Sequence, residues 1–425
     1  MSYKKKEIAQ GISLVSVSAN RFKTNEIAVS LALPLKKETA SVNALMINLL
    51  SRKNKNYETM AKLNERLALL YGASLSAEVA KQGECQVLKL GITCLDDRFS
   101  LDKESISFAC VKLLISLLFE PRLDMHSEFF TEDIEAEKRI LIEKLEAENN
   151  EKRVYVLRQA EALMFENEAY SINRYGSMDD IKSITKADCK KAYDRLIKQA
   201  KIMVTIIGDT DIDKTADYVS DAFSTIERAY EPLKRAQFIP SCSRVKEKLE
   251  RIEVKQGKLI LGFHVNLKPE DKLTPAMRSF CDIFGGGPYS KLFANVREKL
   301  SLCYYCSARY TKQKSCIMIQ CGCNEENMDK AIAEILKQLE EIKAGNFDEE
   351  FASSKIGLKD AIMSVNDTPE LIEGWYTSQI TSENLKTPEE SAKENDEVTA
   401  RQIIECAKLL TLDTVYKLCS VKEEA

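Results

Sequence analysis

The sequence predicts an α+β protein made of two similar domains, and three observations carry that expectation. At 425 residues the chain exceeds what one hydrophobic core usually supports. Strand-like and helix-like segments recur in the same order in both halves. Between them, from about Tyr230 to Lys248, lies YEPLKRAQFIPSCSRVKEK, whose proline and charge mark an exposed linker. The expected division is therefore 1–229, a linker over 230–248, and 249–425.

Taken in order, each half begins with a strand that leads into a polar turn and a helix. IAVSLALPL (Ile27 to Leu35) has its counterpart in LILGFHVNL (Leu259 to Leu267). Next, CQVLKLGITC (Cys85 to Cys94) alternates like a strand, followed by the charged turn LDDRFSLDKES and a helix over Ser107 to Leu118. In the second half CIMIQCGC (Cys316 to Cys323) alternates likewise, followed by NEENMDK and a helix over Ala331 to Ile342. FTEDIEAEKRIL (Phe130 to Leu141) is echoed by FDEEFASSKIGL (Phe347 to Leu358). Each starts a helix with Thr or Asp and places acids in its first turn, which suits the helix dipole.

Composition removes several classes of function. A hydrophobic fraction of 44% and a charged fraction of 30% are ordinary for a globular protein. A net charge of −4, with no arginine-rich stripe, leaves no electrostatic footprint for nucleic acid. The N-terminal MSYKKKEIAQGISLVSV carries basic residues, but its apolar run is short and broken, so no signal peptide is expected. The most apolar run, Ala109 to Phe119, contains Lys112 and is too short to span a bilayer. The thirteen cysteines are odd in number, and several (Cys110, Cys281, Cys406, Cys419) sit in apolar runs. They read as free buried thiols in a reducing cytoplasm. Cys303-x-x-Cys306 and Cys321-Gly-Cys323 each lack a second C-x-x-C or a neighbouring His, so a structural zinc site has little support.

One stretch, FGGGPYSKLFANVREKLSLCYY (Phe284 to Tyr305), raises a question of chemistry. Its three glycines suggest a phosphate loop, but neither G-x-x-x-x-G-K-[ST] nor G-x-G-x-x-G is present, and Lys291 is misplaced for the former. The glycines read as a turn that exploits positive φ, with Pro288 suited to a first helical turn.

Three segments resemble the M16 peptidases (pitrilysin, insulinase and the mitochondrial processing peptidase). One is the N-terminal run of strand and helix that ends in LLYGASLSA. The second is Ala136 to Phe165 with Ser177 to Asp211, which includes IKSIT and VTIIGD, and the third is LFANVREKLSLCY. The resemblance covers nearly the whole chain. It implies that each domain is a mostly antiparallel sheet covered by helices, a metallohydrolase fold of the LuxS and processing-peptidase type. Active members carry H-x-x-E-H on the first helix, two zinc-binding His with a Glu that polarises water, and a further Glu ligand on a later helix. Here the matching helix is SVNALMINLLSRKN, and Asn43, Met46 and Ile47 occupy the motif positions; an ungapped alignment on Gly72 puts Met46, Leu49 and Leu50 there instead. Neither register contains His or Glu. The later ligand position falls at Lys144, next to Glu143. No catalytic zinc and no cofactor are expected in this chain. Its two histidines, His126 and His264, lie in different halves without carboxylates at ligand spacing, which also disfavours Ser–His and Cys–His schemes.

Arg297 and Tyr304 keep the six-residue separation of the family's Arg and Tyr, which bind the substrate backbone and the carbonyl under attack. The glycine that the family places between them is Ser301 here. Some bacterial M16 peptidases divide the site between two chains, one holding zinc and the other the Arg–Tyr pair. The resemblance thus implies a cytoplasmic bacterial subunit without autonomous activity. It would complete the site of a zinc-bearing paralogue as a heterodimer and close with it around an unfolded peptide, without nucleic acid or membrane. In isolation a homodimer is open to it. The alternative is a non-catalytic peptide-binding or scaffold pseudopeptidase, which the resemblance associates with elongation factor P modification.

Overall fold

A computed structural model describes residues 2–421. Two sheets organise them. The first contains β1 (Tyr3–Ala9), β2 (Ile12–Val17), β3 (Thr24–Pro34), β4 (Ser74–Gln82), β5 (Cys85–Leu95) and β6 (Lys201–Ile207), in the order β1-β2-β6-β3-β5-β4. The second contains β7 (Lys246–Arg251), β8 (Lys258–Val265), β9 (Tyr305–Thr311), β10 (Cys316–Gly322) and β11 (Leu410–Cys419), in the order β7-β11-β8-β10-β9. Without β1, the two orders match strand for strand. The β2/β6 pair is parallel, as is its counterpart β7/β11, and the remaining neighbours are antiparallel. The expected pair of mostly antiparallel sheets covered by helices is the observed fold.

The helices follow the same repetition. Lys37–Arg52, Ile106–Phe119 and Lys186–Gln199 cover one face of the first sheet, burying Leu45, Ile47, Leu114, Leu117 and Leu196 against Ile27, Val29, Leu31 and Val204. Ile106–Phe119 is apolar on most of its surface because nine of its residues are buried in this core, with Lys112 exposed. In the second sheet the corresponding helices are Thr274–Gly285, Met328–Ala344 and Ala400–Lys408. Even the caps repeat. Thr185 and Asp188 form a capping box at the start of one helix, and Thr399 and Gln402 form one at the start of its counterpart. The predicted helices over 107–118 and 331–342 are longer in the structure, at Ile106–Phe119 and Met328–Ala344.

Two compact units result, and each takes one segment from the other half of the chain. The first comprises the chain up to Leu145, Ile172–Arg235 and Ser364–Pro388; the second comprises Glu146–Ser171, Ala236–Met363 and the chain from Glu389 onward. Within the first unit, Ile372, Tyr376, Ile380 and Leu385 pack on Val15, Val17, Ala32, Val87 and Met203. Within the second, Val156, Ala160, Met164 and Phe165 pack on Ile260, Met318, Tyr416 and Leu418. Residues 226–245, around the expected linker, form neither helix nor strand. Among the described residues no helix is long and apolar enough to cross a membrane.

The glycine run differs from expectation. Gly285–Gly287 do not have positive φ. Gly285 is the last residue of its helix, and a Cβ there would lie 2.6 Å from the backbone nitrogen of Ala308 in β9. Close approach of helix to strand, rather than left-handed backbone, accounts for this glycine. Pro288 lies in the turn before the next helix, which begins at Lys291.

Candidate functional site

Seven residues with π-type hydrogen bonding, Phe293–Lys299, lead toward β9. Val296 is buried, and Arg297, the next residue, is turned toward solvent with its side chain 41% exposed. Its guanidinium lies 4.5 Å from the centre of the Phe293 ring, and its Nε is 3.5 Å from a Glu298 carboxylate oxygen. The turn that follows is closed by Ser301, a non-glycine residue in the left-handed region at φ 49°. The family's glycine position therefore keeps the backbone conformation that favours glycine, although the side chain has changed.

After the turn, Tyr304 donates its backbone N–H to the Gly322 carbonyl at 2.8 Å, joining the end of the sheet, while its ring stays 65% exposed. Tyr305 points the other way, as expected for neighbouring residues in extended chain. Its ring crosses Gly322, where a Cβ would come within 2.2 Å, and stacks under the Arg153 guanidinium at 3.8 Å. So Tyr304, not Tyr305, joins Arg297 in an open cavity of about 380 Å³, also lined by Glu298, Ser301, Leu302, Cys303, Asn324 and Asn327. Besides the Glu298 carboxylate, the Ser301 hydroxyl and the Cys303 thiol, the cavity offers the Arg297 cation, the Tyr304 phenol and two amides as hydrogen-bond donors. The donors can bind and polarise a carbonyl.

The positions matching the metal ligands are occupied differently. Asn43 is buried in a hydrogen-bonded chain: Arg195 donates to its Oδ1 at 2.9 Å, and its Nδ2 donates to Gln86 Oε1 at 3.0 Å. Gln86 passes the chain on to the Ala40 carbonyl. Met46 and Ile47 have no exposed surface and belong to the core. In the other register, Leu49 and Leu50 are also buried, beside a cavity of about 210 Å³ lined by Arg52, Lys53, Arg122, Asp133 and Glu137. Asp133 is already paired with Lys53 and Arg122, and Glu137 with Arg52. Burial, partly offset by Arg52 and Lys144, raises the pKa of Glu137. Lys144 itself is exposed. These side chains do not fit a zinc ion. More generally, no group of three or more His, Cys, Asp and Glu among the described residues is placed to hold a metal.

His264, in mid-strand on β8, pairs with Asp413 at 3.3 Å, and both are nearly inaccessible. The register of β11 against β8 shifts between Leu412 and Thr414, leaving Asp413 in a bulge. Burial alone would raise the Asp413 pKa, but hydrogen bonds from His264 and Thr414 hold it below the usual carboxylate value. His126 follows Asp124 in a turn, its N–H bonded to that carboxylate at 2.9 Å. All thirteen cysteines are free and twelve are buried. What sequence reasoning missed is that the C-x-x-C and C-G-C stretches meet, because β9 pairs with β10 and sets Cys306 opposite Cys321.

The two-domain fold is similar to that of the M16 peptidases, and the chain matches that family in sequence over part of its length. The family model described as "Peptidase M16 inactive domain" matches residues 183–356. The chain is 28% identical over 410 residues, 96% of each chain, to a Bacillus subtilis (strain 168) protein described as "Probable inactive metalloprotease YmfF". A crystal structure of a conserved protein from Enterococcus faecalis V583 superposes with a TM-score of 0.90 at 26% identity, covering 100% of both chains. A Pseudomonas fluorescens structure described as a peptidase M16 inactive domain shares the fold, with a TM-score of 0.78 at 14% identity over 100% of both chains.

Proposed function

We propose that this chain is the non-zinc subunit of a cytoplasmic two-chain M16-type peptidase, lending Arg297 and Tyr304 to the site of a zinc-bearing partner of similar fold. The observation that carries the reading is the cavity. Arg297 and Tyr304 line one open space, whereas the matching ligand positions are committed to the core or to solvent. The guanidinium would hold a peptide carbonyl by a charge-assisted hydrogen bond, and the phenol would donate to the oxygen as negative charge develops there. The edge strand β9 begins at the next residue, Tyr305, so an unfolded peptide could align along it by strand addition.

A second reading retains the peptide-binding surface without catalysis, as a scaffold of the kind the resemblance links to elongation factor P modification. The contacts of Arg297 with Glu298 and Phe293 favour it, since they occupy the guanidinium locally.

Reconstitution separates the two. The purified chain is mixed with the zinc-bearing paralogue, and cleavage of unfolded peptides is assayed. Arg297→Ala and Tyr304→Phe should each lower kcat/KM by about a hundredfold to a thousandfold, the range for loss of an oxyanion donor, with the complex still formed. A complex whose activity is indifferent to both substitutions would leave the scaffold reading standing.

A further inference from the structure

Behind Arg297 and Tyr304 the cavity is lined by a cysteine. Cys303 is 8% exposed and contributes to the cavity wall, while Cys306 and Cys321 are buried behind it. The three come from a bend before β9, from β9 itself and from β10, and the β9/β10 register sets Cys306 opposite Cys321. The three side chains belong to one buried cluster, which also contains Cys323. We propose that Cys303 is an oxidation site: a hydroperoxide entering the cavity oxidises it, and Cys306 resolves the product as an intrachain disulfide.

Cys306 and Cys321 both favour a thiolate on Cys303, and Cys321 favours one on Cys323 in the same way. Of these two, Cys303 is the one that lines the cavity, so its charge is the one a solute can reach. Hydrogen bonds, first from Cys306 and then from Cys321, outweigh burial and act with the Arg297 charge to hold the Cys303 thiol well below its ordinary value of 9.0. Cys306 is pushed in the opposite direction, chiefly by its hydrogen bond to Cys303. A thiolate open to a cavity and backed by a second thiol is the arrangement of a peroxide-sensitive cysteine.

The chemistry balances. The Cys303 thiolate attacks one peroxide oxygen; an S–O bond forms, the O–O bond breaks, and the departing oxygen leaves as alkoxide or hydroxide and is protonated. Cys306 sulfur then attacks Cys303 sulfur. The S–S bond forms as the S–O bond breaks, and the departing hydroxide takes the Cys306 proton to become water. Two thiols are oxidised and one peroxide is reduced. The disulfide removes the negative charge beside Arg297 and ties both ends of Cys-Tyr-Tyr-Cys, so it would reshape the setting of Tyr304. That last consequence rests on the function proposed above; the oxidation itself does not.

The test uses the reduced full-length chain without a partner, so its failure is distinct from a failed reconstitution. Iodoacetamide is applied at about pH 6, and alkylation is followed at every cysteine by peptide mass mapping. Cys303 should react about tenfold faster than half-buried Cys242, whose pKa is raised by burial and by the charge of Asp413. Hydrogen peroxide should then convert the peptide Leu300 to Arg309 to its internally bridged form, lighter by two hydrogens. In Cys306→Ser, oxidation should stop at a sulfenic acid on Cys303 that dimedone traps. Should that variant fold poorly, the wild-type mapping still decides. The proposal is overturned if Cys242 reacts first, if peroxide leaves that peptide unbridged, if Cys303 pairs with Cys321 instead, or if the cluster proves to hold stoichiometric zinc.

Discussion

Ser301 holds a left-handed backbone at φ 49° in the turn between Arg297 and Tyr304, where the family's pattern has glycine. That conformation costs a side-chain-bearing residue about 1–2 kcal/mol, whereas glycine adds about 0.5–1 kcal/mol of chain entropy to the unfolded state. Ser301→Gly should therefore stabilise the protein by roughly 0.5–1 kcal/mol, read as a higher midpoint in urea. A second residue governs pH dependence. Glu26 in β3 is 4% exposed, and its pKa is raised to about 7. Burial is the main cause, opposed by the hydrogen bond from Thr93 and by Lys89 and reinforced by the charges of Glu373 and Glu370. Its folded pKa thus lies above its ordinary value of 4.5. The associated stability is present below about pH 4.5 and is lost as pH rises through about 7, a change of roughly 3 kcal/mol. Glu26→Gln should abolish that slope: denaturation at about pH 5 and about pH 8 should show the wild type losing more stability than the variant.

Among the elements, the strands and the long helices were legible because each shows its period within its own residues. CQVLKLGITC alternates and is β5, Cys85–Leu95; FTEDIEAEKRIL carries its acids at the start of Thr131–Asn150. The glycine run was misread because its cause lies outside its own segment. Gly285 is required by Ala308, which is far along the chain and comes near only when the helix Thr274–Gly285 packs on β9. Gly285→Ala gains about 1 kcal/mol of helix propensity but forces a Cβ to within 2.6 Å of a backbone atom. Overpacking of that kind costs about 1–3 kcal/mol, so a net loss of up to roughly 2 kcal/mol is expected in thermal denaturation.

At the scale of the whole molecule, each compact unit incorporates a segment from the opposite half of the chain. A fragment ending at residue 229 lacks Ile372, Tyr376, Ile380 and Leu385, which cover Val15, Val17 and Met203. Uncovering several large apolar side chains forfeits about 1.5–3 kcal/mol each, comparable in sum with the net stability of a domain. The fragment should aggregate or bind a hydrophobic dye, and supplying residues 364–388 in trans should reduce that binding. Within the site, the sequence by itself determined the repeated fold, the loss of His and Glu from the ligand helix, and the spacing of Arg297 and Tyr304. These follow from residue identity and local period. Only tertiary structure decided that Arg297 and Tyr304 share a cavity, that Asn43 joins Arg195 and Gln86 in a buried chain, and that Cys303, Cys306 and Cys321 meet. Such outcomes depend on strand register and helix packing between distant residues, and no short window of sequence encodes which distant partner a side chain will touch.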